Sequence, residues 1–504
     1  MHQQVYHSQD IQAWEQRWFA AQNSALGLMQ QAAWAIAQQL QDVFESRLKS
    51  SISKNKSRYR VAVWCGKGNN AGDGYFIASY LKQFGYQVDV HATDLGRSAD
   101  LHSAYQYAQK NNISIYHHFD LKREYDCHID ALMGIGLNRN LDESWQRIIH
   151  LFNQQTGLKV SIDIPSGLNP NTGQALACAV KADLTFTILG LKSGLFTGQG
   201  KEYSAKIKLI SLIPQDSALK EIAKLSPTAI HLPQRQAFGH KGSYGHVLVI
   251  GGHIDMGGAV MMAAEAAFSA GAGKVTVVCH ASHHVAILAR APNIMLRDIN
   301  ALNDIDLQNL IDQVDAVSFG MGLGRDTWAE QHYLKWFPLL NCSDLDVVLD
   351  ADALWFLALY PTSLKEQTYA TPHPGEAAKL LNCSVQDIES DRFKAIYSLK
   401  DQYAGQWVLK GSGSLILEDE LWICTAGNAG MGTGGMGDVL AGMIASLKGQ
   451  LGHQIQLHEI VTLHALAGDY LARGGMRGLQ AHQMHEAIYE VVNSDPDVEH
   501  KLNG

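Results

Sequence analysis

Apolar residues recur along this chain with two different periods, and the alternation between them predicts the architecture. Residues 24–40 carry Leu26, Met29, Ala33, Ile36, Ala37 and Leu40, the three-to-four spacing of a helix with one buried face. The polar, Ser/Lys-rich stretch 49–60 reads as a loop. Residues 61–65 form a short continuous apolar run ending in glycines, the pattern of a buried strand. A helix over 73–84 follows, then strands at 87–90, 129–133, 160–164 and 184–189. Strands alternating with helices predict a mostly parallel sheet covered on both faces.

The pattern breaks over 213–235, which holds Pro214, Pro227 and Pro233 and no clear strand, so a domain boundary is expected there. A second alternation begins beyond it, with strands at 246–250, 274–278, 316–319 and 347–349. Its helices fall at 259–270, 438–447 and 458–472. The halves are not an obvious repeat of each other. The expectation is an α/β protein in which two three-layer α/β/α domains are fused, over residues 1–215 and 230–504.

Composition narrows the function classes. The chain has 504 residues, 46% apolar, with 46 glycines, many clustered just after apolar runs, where α/β enzymes carry ligand loops. The net charge of -9 and the absence of a Lys/Arg run argue against nucleic acid as a partner. No apolar run approaches the ~20 residues needed to span a bilayer, so no membrane association is expected. Seven cysteines without a C-x-x-C pair, and a polar N-terminus, point to a reduced, cytoplasmic setting.

The chemistry is densest in the second half. Thr433-Gly434-Gly435-Met436-Gly437-Asp438 precedes apolar positions Val439, Leu440, Met443, Ile444 and Leu447, which fit a helix face. The glycines therefore sit at a helix N-terminus, where backbone N–H groups and the helix dipole favour an anion or a transferring phosphoryl group. Asp438 is placed to take a proton from an attacking alcohol, although a helix cap is the competing role. Four further clusters end apolar runs: Lys410-Gly411-Ser412-Gly413-Ser414, Gly320-Met321-Gly322-Leu323-Gly324, Asp350-Ala351-Asp352 and Thr371-Pro372-His373-Pro374-Gly375-Glu376. Five such clusters on one sheet edge make a purely structural role for all of them improbable.

These segments, with His240-Lys241-Gly242, Gly251-Gly252, Gly258-Ala259 and Gly427-Asn428 in order, resemble the ribokinase-like dehydratases that repair hydrated NADH and NADPH. The resemblance spans 235–475. It implies that ADP phosphorylates the 6-hydroxyl of the S hydrate, and that phosphate then leaves to restore the dihydronicotinamide. Asp438 would be the base, with magnesium and the glycine nest holding the phosphoryl group. Lys410, Gly411, Ser412, Gly413, Ser414 and Gly437 would line the nucleotide, and Ala259, Gly322, His373 and Asp438 the hydrated dinucleotide. Met321 and Met436 stand where the family usually has proline and a small residue such as threonine.

In the first half, Gly66-Lys67-Gly68-Asn69-Asn70-Ala71-Gly72-Asp73-Gly74 follows the first strand and opens a helix, but it lacks the third glycine of a dinucleotide fingerprint. Asp130, Gly134-Ile135-Gly136-Leu137-Asn138-Arg139 and Asp163-Ile164-Pro165-Ser166-Gly167 also follow strands; each alone is compatible with a turn. Together they resemble an NAD(P)H-hydrate epimerase domain, Rossmann-like, over residues 8–212. The resemblance implies a potassium ion on Asn70, Asp130 and Ser166. It implies substrate contacts from Asn69, Asn70, Ala71, Gly72, Asp73, Gly134, Ile135, Gly136, Leu137, Asn138, Arg139, Asn140 and Asp163, with Lys192 assisting catalysis. Asp163 is the candidate for moving the proton. Ala71, Ile135 and Gln30 replace a usual glycine, threonine and glutamate. The family tends to form homo-oligomers. Two other readings stay open: a ribokinase-like small-molecule kinase, and a non-catalytic nucleotide sensor.

Overall fold

The computed structural model describes residues 3–50, 56–119, 123–137 and 139–494. The chain separates into two compact units that meet in sequence between Ala223 and Lys224.

The N-terminal unit is built on a seven-stranded, all-parallel sheet. Its strands are β1 (Arg60–Cys65), β2 (Gln87–Ala92), β3 (Ser114–Tyr116), β4 (Cys127–Ala131), β5 (Leu158–Ile162), β6 (Leu184–Ile188) and β7 (Lys206–Ile210). They lie in the order β3-β2-β1-β4-β5-β6-β7. The order reverses between β1 and β4, and a doubly wound sheet opens a crevice at the carboxyl ends of its strands at such a point. Helices α1 (Ser8–Ala20) and α2 (Ala25–Ser50) both precede the sheet in the chain. The 24–40 periodicity thus understates α2, which continues through the polar residues to Ser50; beyond it, Lys56–Arg58 forms a short 3-10 turn. Ala33, Ile36, Ala37, Leu40 and Phe44 of α2 are fully buried and pack with Val61, Val63 and Val90. Helix α3 (Asn69–Gln83) starts four residues before the predicted 73, because the Asn-Asn-Ala-Gly run reads as loop in sequence yet forms the first helical turn.

The C-terminal unit carries β8 (His246–Ile250), β9 (Lys274–Cys279), β10 (Met295–Asp298), β11 (Ala316–Phe319), β12 (Asp346–Leu349), β13 (Leu364–Ala370), β14 (Ala404–Leu409), β15 (Ser414–Leu417) and β16 (Leu421–Cys424). Their order is β10-β9-β8-β11-β12-β13-β14-β15-β16. Strands through β14 run parallel, and β14, β15 and β16 pair antiparallel. The proline-rich connection does hold a short strand, Ala223–Leu225, whose Lys224 and Leu225 pair with Trp422 and Ile423. Helices α4 (Gly257–Ser269) and α8 (Met436–Leu451) pack on one another; Ser446 Oγ donates to the Ala267 carbonyl at 2.7 Å. Between them in the chain are α5 (Asp352–Leu359), α6 (Pro374–Leu380) and α7 (Arg392–Tyr403), and α9 (Leu457–Leu471) follows α8. The alanine- and glycine-rich faces of α4 and α8 permit this close approach: a Cβ at Gly442 would lie 2.1 Å from the Ala263 carbonyl oxygen.

Candidate active sites

In the N-terminal unit, strand ends and helix starts enclose a cavity of about 560 Å³. The loop after β5 delivers Asp163, whose backbone has φ of 68°, a left-handed conformation that is costly without a compensating contact. That contact is Lys192. The Lys192 ammonium is 1% exposed and bonds the Asp163 carboxylate. It also donates to Thr187 Oγ1 at 3.1 Å and to the Ile188 carbonyl at 2.7 Å. All three of its N–H donors are thus spent inside the protein. Asp163 Oδ1 further accepts from the Ile188 amide at 3.1 Å. A carboxylate fixed in this way keeps one orientation toward the cavity that it lines.

Asn69, Asn70, Asp73, Gly134, Ile135, Gly136, Leu137, Arg139 and Asn140 line the same cavity. Burial, with Asp163 and Glu15 nearby, pushes the Asp73 carboxyl well above its ordinary value. Ala71 is fully buried in the hydrophobic core, so its methyl group substitutes for glycine without facing the cavity. Gly72 backs onto Met29, 2.6 Å from where a Cβ would stand. These two residues can meet a ligand only through their backbone. Asn138 lies outside the described residues.

Behind the cavity, Asn70, Asp130 and Ser166 come together. Asn70 donates to the Met133 carbonyl at 2.9 Å, while its Oδ1 is buried without a partner among the described residues. Fully buried Asp130 accepts from Ser166 Oγ at 2.6 Å, Ser166 N at 2.8 Å, Ser161 Oγ at 2.9 Å and Leu132 N at 3.2 Å. Burial nonetheless raises its pKa. Asn70 and the Ser166 hydroxyl meet at the Met133 carbonyl, and an orphaned amide oxygen, a carboxylate and a hydroxyl form an all-oxygen set, which fits a hard cation.

In the C-terminal unit, α8 begins on Gly435, whose φ of 95° is a left-handed conformation. Two residues on, a Cβ at Gly437 would stand 2.9 Å from Lys410 Nζ and 3.1 Å from Asp350 Oδ2, so a bare backbone lets this turn sit directly on the charged pair. Asp438, half-buried in the same first turn, is pushed up to about 7 by burial and by the Asp350 carboxylate, with Lys410 opposing. Lys410, at the end of β14, bonds Asp350 Oδ1 at 2.7 Å and lies 3.9 Å from Glu376. Burial works against its charge, yet the Asp350, Glu376 and Asp438 carboxylates hold its pKa above the usual value. Burial also pushes Glu376 up to about 7.

His373 caps α6, its Nδ1 accepting from Gly375 N at 2.9 Å and Glu376 N at 3.3 Å. Burial, and then Lys410, depress its pKa, so the ring stays neutral and half-exposed beside the pair. Gly322 sits against Ala259: a Cβ there would lie 3.1 Å from the Ala259 methyl. Gly324 N donates to Asp352 at 2.9 Å, tying that loop to the Asp350-Ala351-Asp352 turn. Lys410, Gly437, His373 and Asp438 thus share one cluster, with Ala259 and Gly322 joined to it through this loop. Gly411, Ser412, Gly413 and Ser414 form the turn beyond Lys410, closed by the Ser414 hydroxyl donating to Gly411 O at 3.1 Å.

Several supporting residues escape sequence reasoning. Arg392, 1% exposed, holds the Lys410 loop by donating to Leu409 O at 3.0 Å and Lys410 O at 3.2 Å. Asp469 accepts from Gly427 N and from Asn428 Nδ2, each at 2.8 Å. Thr371 Oγ1 donates to Asp350 at 2.9 Å. Of these only Thr371 carries a signal, as the first residue of its turn; the others read as ordinary helix-surface charges. The departures Met321 and Met436 are buried core side chains.

Both halves thus place an Asp–Lys pair beside the carboxyl ends of parallel strands, one in a preformed cavity and one under a glycine-rich helix start. This defines a two-site α/β enzyme, and comparison with known proteins narrows the class. Residues 247–490 match the family model described as NAD(P)H-hydrate dehydratase, and residues 25–194 the model described as YjeF-related protein N-terminus. The chain is 37% identical over 467 residues to the bifunctional NAD(P)H-hydrate repair enzyme Nnr of Coxiella burnetii, covering 89% of this chain and 93% of that one. With the enzyme of the same name from Escherichia coli it shares 35% identity, over 86% and 85% of the two chains. Among solved structures, an ADP/ATP-dependent NAD(P)H-hydrate dehydratase from Bacillus subtilis, co-crystallized with ATP/Mg2+, is 25% identical with a TM-score of 0.45, covering 52% of this chain and 94% of that chain. The chain belongs to the family of bifunctional NAD(P)H-hydrate repair enzymes.

Proposed function

We propose that this chain restores hydrated nicotinamide dinucleotides in two steps. Residues 1–215 form the epimerase domain, which interconverts the R and S hydrates. Residues 230–504 form the ADP-dependent dehydratase domain, which returns the S hydrate to NAD(P)H with release of AMP and phosphate. The observation that carries the reading is the C-terminal cluster: a carboxyl tuned to about 7 in the first turn of a helix that starts on a glycine nest.

Hydroxide is a poor leaving group and phosphate a good one, so phosphorylating the hydroxyl is the productive route to its loss. Asp438, in its ionised form, takes the hydroxyl proton as the hydroxyl oxygen attacks the terminal phosphorus of ADP. The N–H groups around Gly435 and Gly437 stabilise charge on the transferring group. Lys410 and the 411–414 turn hold the nucleotide, and Ala259, Gly322 and His373 the hydrated ring. Magnesium, with the nucleotide, would add positive charge at the phosphates.

In the N-terminal cavity Asp163 moves the proton and Lys192 acts by anchoring it. The nicotinamide-ring nitrogen can expel water to leave a flat cation, which water re-enters from either face. Asn70, Asp130 and Ser166 would hold potassium, which supplies a positive charge to bind substrate oxygens. Among the described residues no helix is long and apolar enough to cross a membrane; a cytoplasmic homo-oligomer is the proposed setting.

The test is absorbance at 340 nm. Purified chain with the S hydrate of NADH, magnesium and ADP regenerates the NADH signal, and Asp438→Asn does not. A stable phosphorylated sugar or vitamin precursor, without NADH recovery, favours a small-molecule kinase instead.

A further inference from the structure

Epimerisation through a flat cation poses a requirement that Asp163 alone does not meet. Water leaves from one face of the ring and enters from the other. As the C–O bond breaks, with its electron pair going to the departing oxygen, the ring-nitrogen lone pair forms C=N and the hydroxyl needs a proton to leave as water. On the opposite face a second water forms the new C–O bond, the C=N pair returns to nitrogen, and that water gives up a proton. One carboxylic acid and one carboxylate, placed on opposite sides of the ring, complete the cycle.

The cavity holds a second carboxyl that comes from another element of the fold. Glu15, on α1, lines it together with Asp73, Asp163 and Lys192. It lies near enough to Asp163 and Lys192 for their charges to act on it. It arrives from a different element than Asp163, which the loop after β5 delivers. Burial, then the Asp163 carboxylate, raise its pKa and favour the proton-carrying form. Asp73 shares this tendency but is only 9% exposed, whereas Glu15 is half-buried. Each turnover leaves the acid one proton short and the base with one to give up, so both reset through cavity water, and half-buried Glu15 meets that water more readily than Asp73 does. Lys192, with its donors spent, cannot take the part.

We infer that Glu15 is a further catalytic residue of the N-terminal site, forming with Asp163 an acid–base pair that protonates the leaving hydroxyl on one ring face and deprotonates the entering water on the other. This rests on reading the cavity as the epimerisation site. The test uses the full chain and purified R hydrate of NADH without ADP, following the R-to-S ratio by chromatography. Glu15→Gln lowers kcat by about 100-fold, the scale of a lost general acid, with KM nearly unchanged. Formate added to Glu15→Ala restores part of the rate in proportion to its concentration. Dehydration of the S hydrate by both variants stays at the wild-type rate, which reports that the C-terminal unit is folded, and the formate rescue of Glu15→Ala reports the same of the N-terminal unit. Wild-type rates in Glu15→Gln, a loss confined to KM, or a kcat loss that formate does not relieve overturns the role of Glu15. No epimerisation above the spontaneous rate by the wild-type chain overturns the site reading itself.

Discussion

The two halves use the same pair of residue types in opposite ways. In the N-terminal unit one cavity-lining aspartate, Asp163, is itself bonded to the buried lysine. In the C-terminal unit the lysine is bonded to Asp350, and Asp438 stands beside the pair without that bond. The first arrangement locks a carboxylate's direction. The second leaves a carboxyl whose pKa burial and Asp350 lift to about 7, where a base can both accept and release a proton near neutral pH. A lysine beside an aspartate therefore does not identify the base; what matters is which carboxyl the lysine neutralises.

The sharpest way to break this contrast is to remove the free carboxyl. Asp438→Asn should lower dehydration by about 100- to 10,000-fold, the range for a lost general base, while epimerisation by the same chain is unchanged. Removing Lys192 tests the locked arrangement through stability. Lys192→Met leaves the Asp163 charge buried without its partner and should cost the N-terminal unit about 3–5 kcal/mol, read by denaturant unfolding. Adding Asp163→Asn to that variant should recover much of the loss, because no charge is then left unpaired.

A pH profile separates the two arrangements at smaller cost. Below about pH 7 Asp438 carries a proton and cannot accept another, so kcat/KM for dehydration should fall about tenfold per pH unit on the acid side. A flat profile from pH 6 to 8 would put the base elsewhere. The smallest effect is expected from Gly437→Ala. Its methyl would meet Lys410 Nζ at 2.9 Å and Asp350 Oδ2 at 3.1 Å. Lysine can shift, so the expected result is a several-fold rise in the KM for ADP with little change in melting temperature.

Much of this was legible in the sequence where local rules act alone. β8 and β11 fall on the predicted residues, and Pro374 takes the first helical position after a capping His373. Where three-dimensional packing decides, the reading was partial. The Asn-Asn-Ala-Gly run looks like loop, yet it is the first turn of α3 because the core takes Ala71 and the cavity takes Asn69 and Asn70. The strand Ala223–Leu225 is three residues between prolines and exists through its pairing with β16. Arg392 and Glu15 sit on helices where a charge ordinarily means solvent; only the fold turns one toward the Lys410 loop and the other toward the cavity. Asp438 was placed correctly at a helix start, but its neighbours, not its spacing, set its pKa.

The central claim, that two differently held aspartates serve one repair, is tested most directly from the wrong epimer. Purified R hydrate of NADH with ADP and magnesium is followed at 340 nm. The wild-type chain should regenerate NADH faster than spontaneous epimerisation allows, and Asp163→Asn should slow it to that spontaneous limit while still consuming S hydrate at the wild-type rate. Equal rates for the two proteins on R hydrate would contradict the account.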